Sequence, residues 1–122
     1  MLKTMMVLAA ATAFSTAALA ADVTGEWLRA DGVSKVRFSA CGAAVCGAIS
    51  WLKDPNAPAK VGQKVFFDMT PSGDGAWAGK AFNPDDGKTY SGKMTLSGDK
   101  LTTSGCAFGG FICKSFDWSR VR

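Results

Sequence analysis

Along residues 23–122, bulky apolar and polar side chains alternate in short stretches, and glycine interrupts them roughly every ten residues. Period-two alternation predicts strands with one buried face, and the regular punctuation predicts the turns of an all-β barrel or sandwich. The pattern divides into eight strands: 23–30, 33–41, 45–52, 64–70, 75–82, 89–97, 100–106 and 112–120. No stretch sustains a helical period, and no repeat or composition break marks a second domain. Segment 53–63 holds two prolines, too many for a strand, and is read as a loop.

Turn chemistry sets the registers. Asp31-Gly32, as a two-residue type I′ turn, pairs Trp27 with Val36 and Gly25 with Phe38. Closing the next hairpin with Cys41 opposite Cys46 pairs Phe38 with Ile49 and Val36 with Trp51. A loop over 83–88 pairs Ala81 with Tyr90, Gly79 with Gly92 and Trp77 with Met94. The Gly98-Asp99 turn pairs Leu96 with Leu101 and Met94 with Thr103. Setting Cys106 opposite Cys113 pairs Thr103 with Phe116 and Leu101 with Trp118. Every register puts the bulky apolar side chains on one continuous face and all four cysteines on the other. That continuity predicts an eight-stranded antiparallel up-and-down barrel. It favours Cys41–Cys46 and Cys106–Cys113 as hairpin disulfides, although four cysteines allow three connectivities.

The first twenty residues do not share this pattern. Lys3, an apolar run over 5–14 broken only by Thr12, and Ala18-Leu19-Ala20 form the three parts of a secretory signal peptide, with cleavage expected before Ala21. The barrel domain then occupies 21–122. The run is too short for a permanent span, and no second apolar stretch follows, so the mature chain is expected to have no transmembrane segment. All four cysteines lie beyond the cleavage site, which suits a periplasmic or secreted protein. Their spacing lacks the close pairs of zinc knuckles. Without Lys3, one of the 14 basic residues, 13 remain against 10 acidic ones, and no two Lys or Arg are adjacent. This is not the basic stripe of a nucleic-acid reader, so nucleic acid is not an expected partner. It is a balance that attracts anionic partners mildly.

The chain contains no histidine. That excludes Ser-His-Asp and Cys-His catalysis and imidazole-dependent zinc sites. No Gly-x-Ser-x-Gly or Ser-x-x-Lys pattern appears, and nearly all the acids fall in turns or on the polar face, so no enzyme is expected. Asp85 and Asp86 offer too few oxygens to hold calcium alone. No cofactor or metal is expected.

The predicted inner face instead suits binding. Trp51, Phe67, Trp77, Met94 and Phe116 supply an apolar wall, while Ala40, Gly47, Gly79, Ala81, Gly92 and Gly105 fill little volume. Those small residues either turn the corners of a filled barrel or leave a cavity. Towards one rim the face becomes polar, at Arg29, Ser34, Tyr90 and Lys114. Lys114 continues the Phe116, Trp118 row: it either snorkels to water or contacts a carboxylate or phosphate on an amphiphile. The leading expectation is a binder of a small apolar or amphiphilic molecule, an anionic one among the options. The alternative is a filled barrel that binds an envelope or extracellular protein through its rim, for example as a hydrolase inhibitor. The rim residues would be Asn83, Asp85 and Asp86, with Phe108 and Phe111 at a disulfide-pinned tip.

The chain resembles the family called domain of unknown function 2147, small secreted bacterial proteins. The likeness rests on Thr24-Gly25-Glu26-Trp27, Cys41…Cys46-Gly47, Trp77-Ala78-Gly79, Asn83-Pro84…Asp86-Gly87-Lys88-Thr89-Tyr90, Gly105-Cys106 and Cys113…Trp118-Ser119-Arg120. It covers essentially residues 23–122 and implies a lipocalin-like fold. Gly25-x-Trp27 and Arg120 look similar to the lipocalin closure, in which an arginine covers a tryptophan at the closed end. The resemblance implies no activity, because none is established for the family.

Overall fold

Eight strands run in sequence: β1 (Gly25–Arg29), β2 (Ser34–Cys41), β3 (Ala44–Leu52), β4 (Lys64–Gly73), β5 (Ala76–Asn83), β6 (Lys88–Ser97), β7 (Lys100–Ala107) and β8 (Ile112–Arg120). Each pairs antiparallel with the next, and β8 returns to β1, closing the barrel. The computed structural model describes residues 23–122, so the expected signal peptide lies outside the described residues. Both hairpin disulfides are present, Cys41–Cys46 and Cys106–Cys113.

The turn-derived registers hold for β1–β2 and throughout β5–β8. Trp27 faces Val36, Ala81 faces Tyr90, Trp77 faces Met94, Thr103 faces Phe116 and Cys106 faces Cys113. Strands β2 to β4 depart from expectation, through one tighter turn and through extra residues inserted into the ladders.

The β2–β3 hairpin closes more tightly than expected. Cys41 faces Ala44 rather than Cys46, with Gly42 at φ +67° in the two-residue turn, so Phe38 meets Gly47 and Val36 meets Ile49. Cys46 lies opposite Ser39, and its disulfide to Cys41 runs diagonally. A bulge between Lys35 and Val36 leaves Ser50 as the extra residue and turns Trp51 onto the outer face, opposite Lys35. The Lys35 ammonium lies 5.3 Å from the centre of the Trp51 ring. Trp51 is therefore not part of the inner wall.

Strand β4 carries three irregularities, one at Val65, one between Phe67 and Thr70, where Asp68 adopts φ +52°, and one between Pro71 and Gly73. A single extra residue reverses the facing of everything beyond it. Phe66, not Phe67, consequently points inward, opposite Gly47 and Ala81, while Phe67 lies on the outside with the Lys64 ammonium 5.7 Å from its ring centre. Phe67 too leaves the expected wall.

The core fills one end of the barrel. Trp27, Val36, Phe38, Met69, Met94 and Leu101 are all at most 1% exposed. Gly47 makes this packing possible: a Cβ there would lie 2.7 Å from the Phe38 ring, which reaches across to Phe66 with ring centres 5.3 Å apart. Over Trp27, the Arg120 guanidinium sits 4.4 Å from the ring centre, and its Nε donates to Asp99 at 3.1 Å. The Trp27 indole N–H donates to the Val23 carbonyl at 3.0 Å. An arginine thus covers the tryptophan at the closed end.

Candidate functional site

The opposite end is hollow. A cavity of about 580 Å³ opens there, bordered by the β1–β2 turn, the 53–63 loop, the 83–88 loop and the start of β8. Phe66 and Trp118 meet edge-to-face at its base, with ring centres 6.5 Å apart. Thr103, 2% exposed, accepts a hydrogen bond from the Trp118 indole at 2.9 Å, so that indole's polar atom is satisfied within the wall. Val36, Ile49, Val65 and Phe116 complete an apolar lining. Gly105 and Ala81 contribute to this space by their small size: a Cβ on Gly105 would find only ordinary contacts, 3.5 Å from the Tyr90 Cβ and 3.9 Å from the Ala81 Cβ. The small inner residues therefore divide into two groups. Some, such as Gly47, admit a neighbour's ring, and others leave the lumen open.

Polar groups converge around the mouth. Arg29 donates through both Nε and Nη2 to the Asp31 carboxylate, at 2.9 and 2.8 Å, and its guanidinium lies 4.3 Å from the Phe116 ring centre. This paired arginine holds the Asp31 carboxyl below the usual aspartate range, chiefly through the hydrogen bond. The Lys114 ammonium lies 5.4 Å from the same ring. Among the described residues it joins no ion pair, so its charge remains free to meet a ligand. On the neighbouring wall, the Tyr90 hydroxyl donates to the Asp86 carboxylate. That bond favours the ionised carboxyl, lowering the Asp86 pKa and raising that of the Tyr90 phenol. The 83–88 loop is held by its own side chains, with Asn83 Oδ1 accepting from the Asp85 N–H and Asp86 Oδ1 from the Lys88 N–H, both at 2.9 Å.

The candidate residues therefore separate by location. Arg29, Tyr90, Lys114 and Phe116 line the cavity together, as do Asn83, Asp85 and Asp86 of the rim loop. Trp77 and Met94 are buried but belong to the packed part of the barrel, away from the cavity lining. Trp51 and Phe67 are turned outward by the bulges. Phe108 and Phe111 are exposed at the β7–β8 tip and do not line the cavity. Sequence reasoning missed Phe66, Leu52, Ala57 and Ala59 as lining residues. The run Val65-Phe66-Phe67 carried a detectable signal for the first, since three consecutive apolar residues cannot alternate regularly. Ala57 and Ala59 carried only the alternating small residues of a proline-rich loop.

A family model for uncharacterized proteins conserved in bacteria matches residues 25–120. No curated protein and no solved structure matches the chain. The chain belongs to the bacterial family of uncharacterized proteins DUF2147.

Proposed function

We propose that this protein is exported and holds one small apolar or amphiphilic molecule in the open end of its barrel, without transforming it. The observation that carries this reading is a cavity of about 580 Å³ at one end of the barrel, lined by apolar side chains together with charged groups from the rim. That volume falls within the roughly 300–1,000 Å³ span of small-molecule pockets. An apolar tail fits against Val36, Ile49, Val65 and Phe66, while Lys114 supplies an uncommitted cation for a carboxylate or phosphate head. Arg29 is the lesser contact, because its guanidinium already pairs with the Asp31 carboxylate through Nε and Nη2. The two disulfides support passage into an oxidising compartment. Among the described residues, no helix is long and apolar enough to cross a membrane.

The rim-only alternative presupposed a filled lumen, and it loses that premise here. The test is titration with a dansyl-labelled fatty acid. Wild-type protein should take up one equivalent saturably. Gly105→Leu should project into the cavity and weaken uptake by at least about tenfold, with circular dichroism unchanged, because its Cβ finds ordinary contacts. Absent uptake by the wild type, or equal uptake by the variant, contradicts the proposal.

A further inference from the structure

The large exposed apolar side chains among the described residues gather at the open end of the barrel. Among the described residues, five large hydrophobic ones stand out to solvent: Trp51, Val61, Phe108, Phe111 and Ile112. Trp51 leads from β3 into the 53–63 loop, which carries Val61, 62% exposed. Phe108, Phe111 and Ile112, at 75%, 90% and 61% exposed, form the β7–β8 tip. The β3–β4 and β7–β8 connections are four strands apart in a closed ring of eight, and so lie on opposite sides of the mouth. Both border the cavity, through Ala57 and Ala59 on one side and Ile112 and Cys113 on the other.

We propose that these two prongs seat the cavity mouth on an anionic lipid bilayer. Charge selects this occupant. Segment 60–64 reads Lys-Val-Gly-Gln-Lys, and segment 107–115 contains Lys114 and no acid, so each prong pairs apolar tips with cations. The acids Asp31, Asp85 and Asp86 belong to the two intervening connections, and Asp54, at the start of the 53–63 loop, caps the Asn56 N–H at 2.9 Å. Apolar side chains interleaved with lysines are the composition that partitions into a charged interface. Two prongs across an opening also match a planar, deformable surface better than one contiguous protein epitope. The tip is held outward. Phe108 adopts φ +54°, a backbone region that disfavours a bulky side chain, followed by Gly109 and Gly110 at positive φ, and Cys106–Cys113 clamps the base. Docking stands independently of what the cavity holds.

The test is flotation of the full mature chain with vesicles of phosphatidylcholine alone or mixed with phosphatidylglycerol. Wild-type protein should float with the mixed vesicles, and less so at high salt or on phosphatidylcholine alone. The variant Phe108→Asn/Phe111→Ser should lose about tenfold in partitioning per phenylalanine. Asparagine tolerates the left-handed backbone at 108, so dansyl-labelled fatty acid uptake and circular dichroism should remain as in the wild type. That separates loss of docking from loss of the cavity. Wild-type protein that stays soluble beside anionic vesicles, or a variant that floats equally well, overturns the proposal. Either result would reassign the prongs to a protein partner.

Discussion

Gly79, Gly92 and Gly105 face one another across β5, β6 and β7 in one ladder row, yet alanine should have opposite effects along it. None of the three has a positive φ, so alanine is conformationally acceptable at each. The difference is space. A Cβ on Gly79 would lie 2.5 Å from the Phe67 carbonyl oxygen, 2.6 Å from the Asp68 oxygen and 2.8 Å from the Asp68 carbonyl carbon, where the β4 bulge leans over β5. All three are backbone atoms and cannot rotate away. At Gly92 the nearest atoms, also backbone, are at 3.0 and 3.1 Å, whereas at Gly105 the first contact is the Tyr90 Cβ at 3.5 Å. Overpacking costs about 1–3 kcal/mol, against a gain of about 0.4–1 kcal/mol from removing glycine's freedom in the unfolded chain. Gly79→Ala should therefore lose about 2 kcal/mol and Gly92→Ala less, while Gly105→Ala should gain about 0.5 kcal/mol. At about 4–8 °C per kcal/mol for a domain of this size, the Tm should fall by about 8–16 °C for Gly79→Ala and rise by about 2–4 °C for Gly105→Ala. Thermal unfolding followed by circular dichroism under non-reducing conditions measures both. Equal Tm values for the Gly79 and Gly105 variants would refute the account of which small residues pack the barrel and which leave it hollow.

Three further outcomes follow from the same geometry. Arg120→Ala uncovers Trp27 and should cost about 1–3 kcal/mol in urea unfolding, with Arg120→Lys intermediate; unchanged stability would remove the closed-end contact from the account. Lys114→Ala should weaken uptake of an anionic amphiphile more at low salt than at high salt, and a salt-independent effect would deny its ammonium a charge-based role. Tyr90 holds the Asp86 pKa below its unfolded value, so the pair's stabilisation is present above the ordinary aspartate pKa and is lost as pH falls through the depressed one. Tyr90→Phe should move the Asp86 carboxyl titration, read by carbon NMR, upward towards the ordinary range; an unmoved titration contradicts the hydrogen bond's role.

The closed meander was legible because turn residues carry register. Asp31-Gly32 and Gly98-Asp99 each imply the correct pairing of the strands they join, and inward alternation then runs unbroken through β5–β8. The bulges were not legible. The extra residue at Ser50 leaves no distinct local chemistry, and the one at Val65 shows only as three consecutive apolar residues, yet together they turn Trp51 and Phe67 outward and Phe66 inward. The cavity depends on those same facings. Alternation placed Arg29, Tyr90, Lys114 and Phe116 correctly, since their strands are regular. Whether the lumen was full hinged on β3 and β4, where alternation fails.

The measurement closest to the central claim is native mass spectrometry of the protein purified without detergent from bacterial cells that express it, followed by denaturing extraction. The account predicts one small apolar or amphiphilic molecule per chain, released on unfolding and absent from Gly105→Leu. An apo mass from those cells that acquires no adduct across a panel of fatty acids and lipids would contradict it.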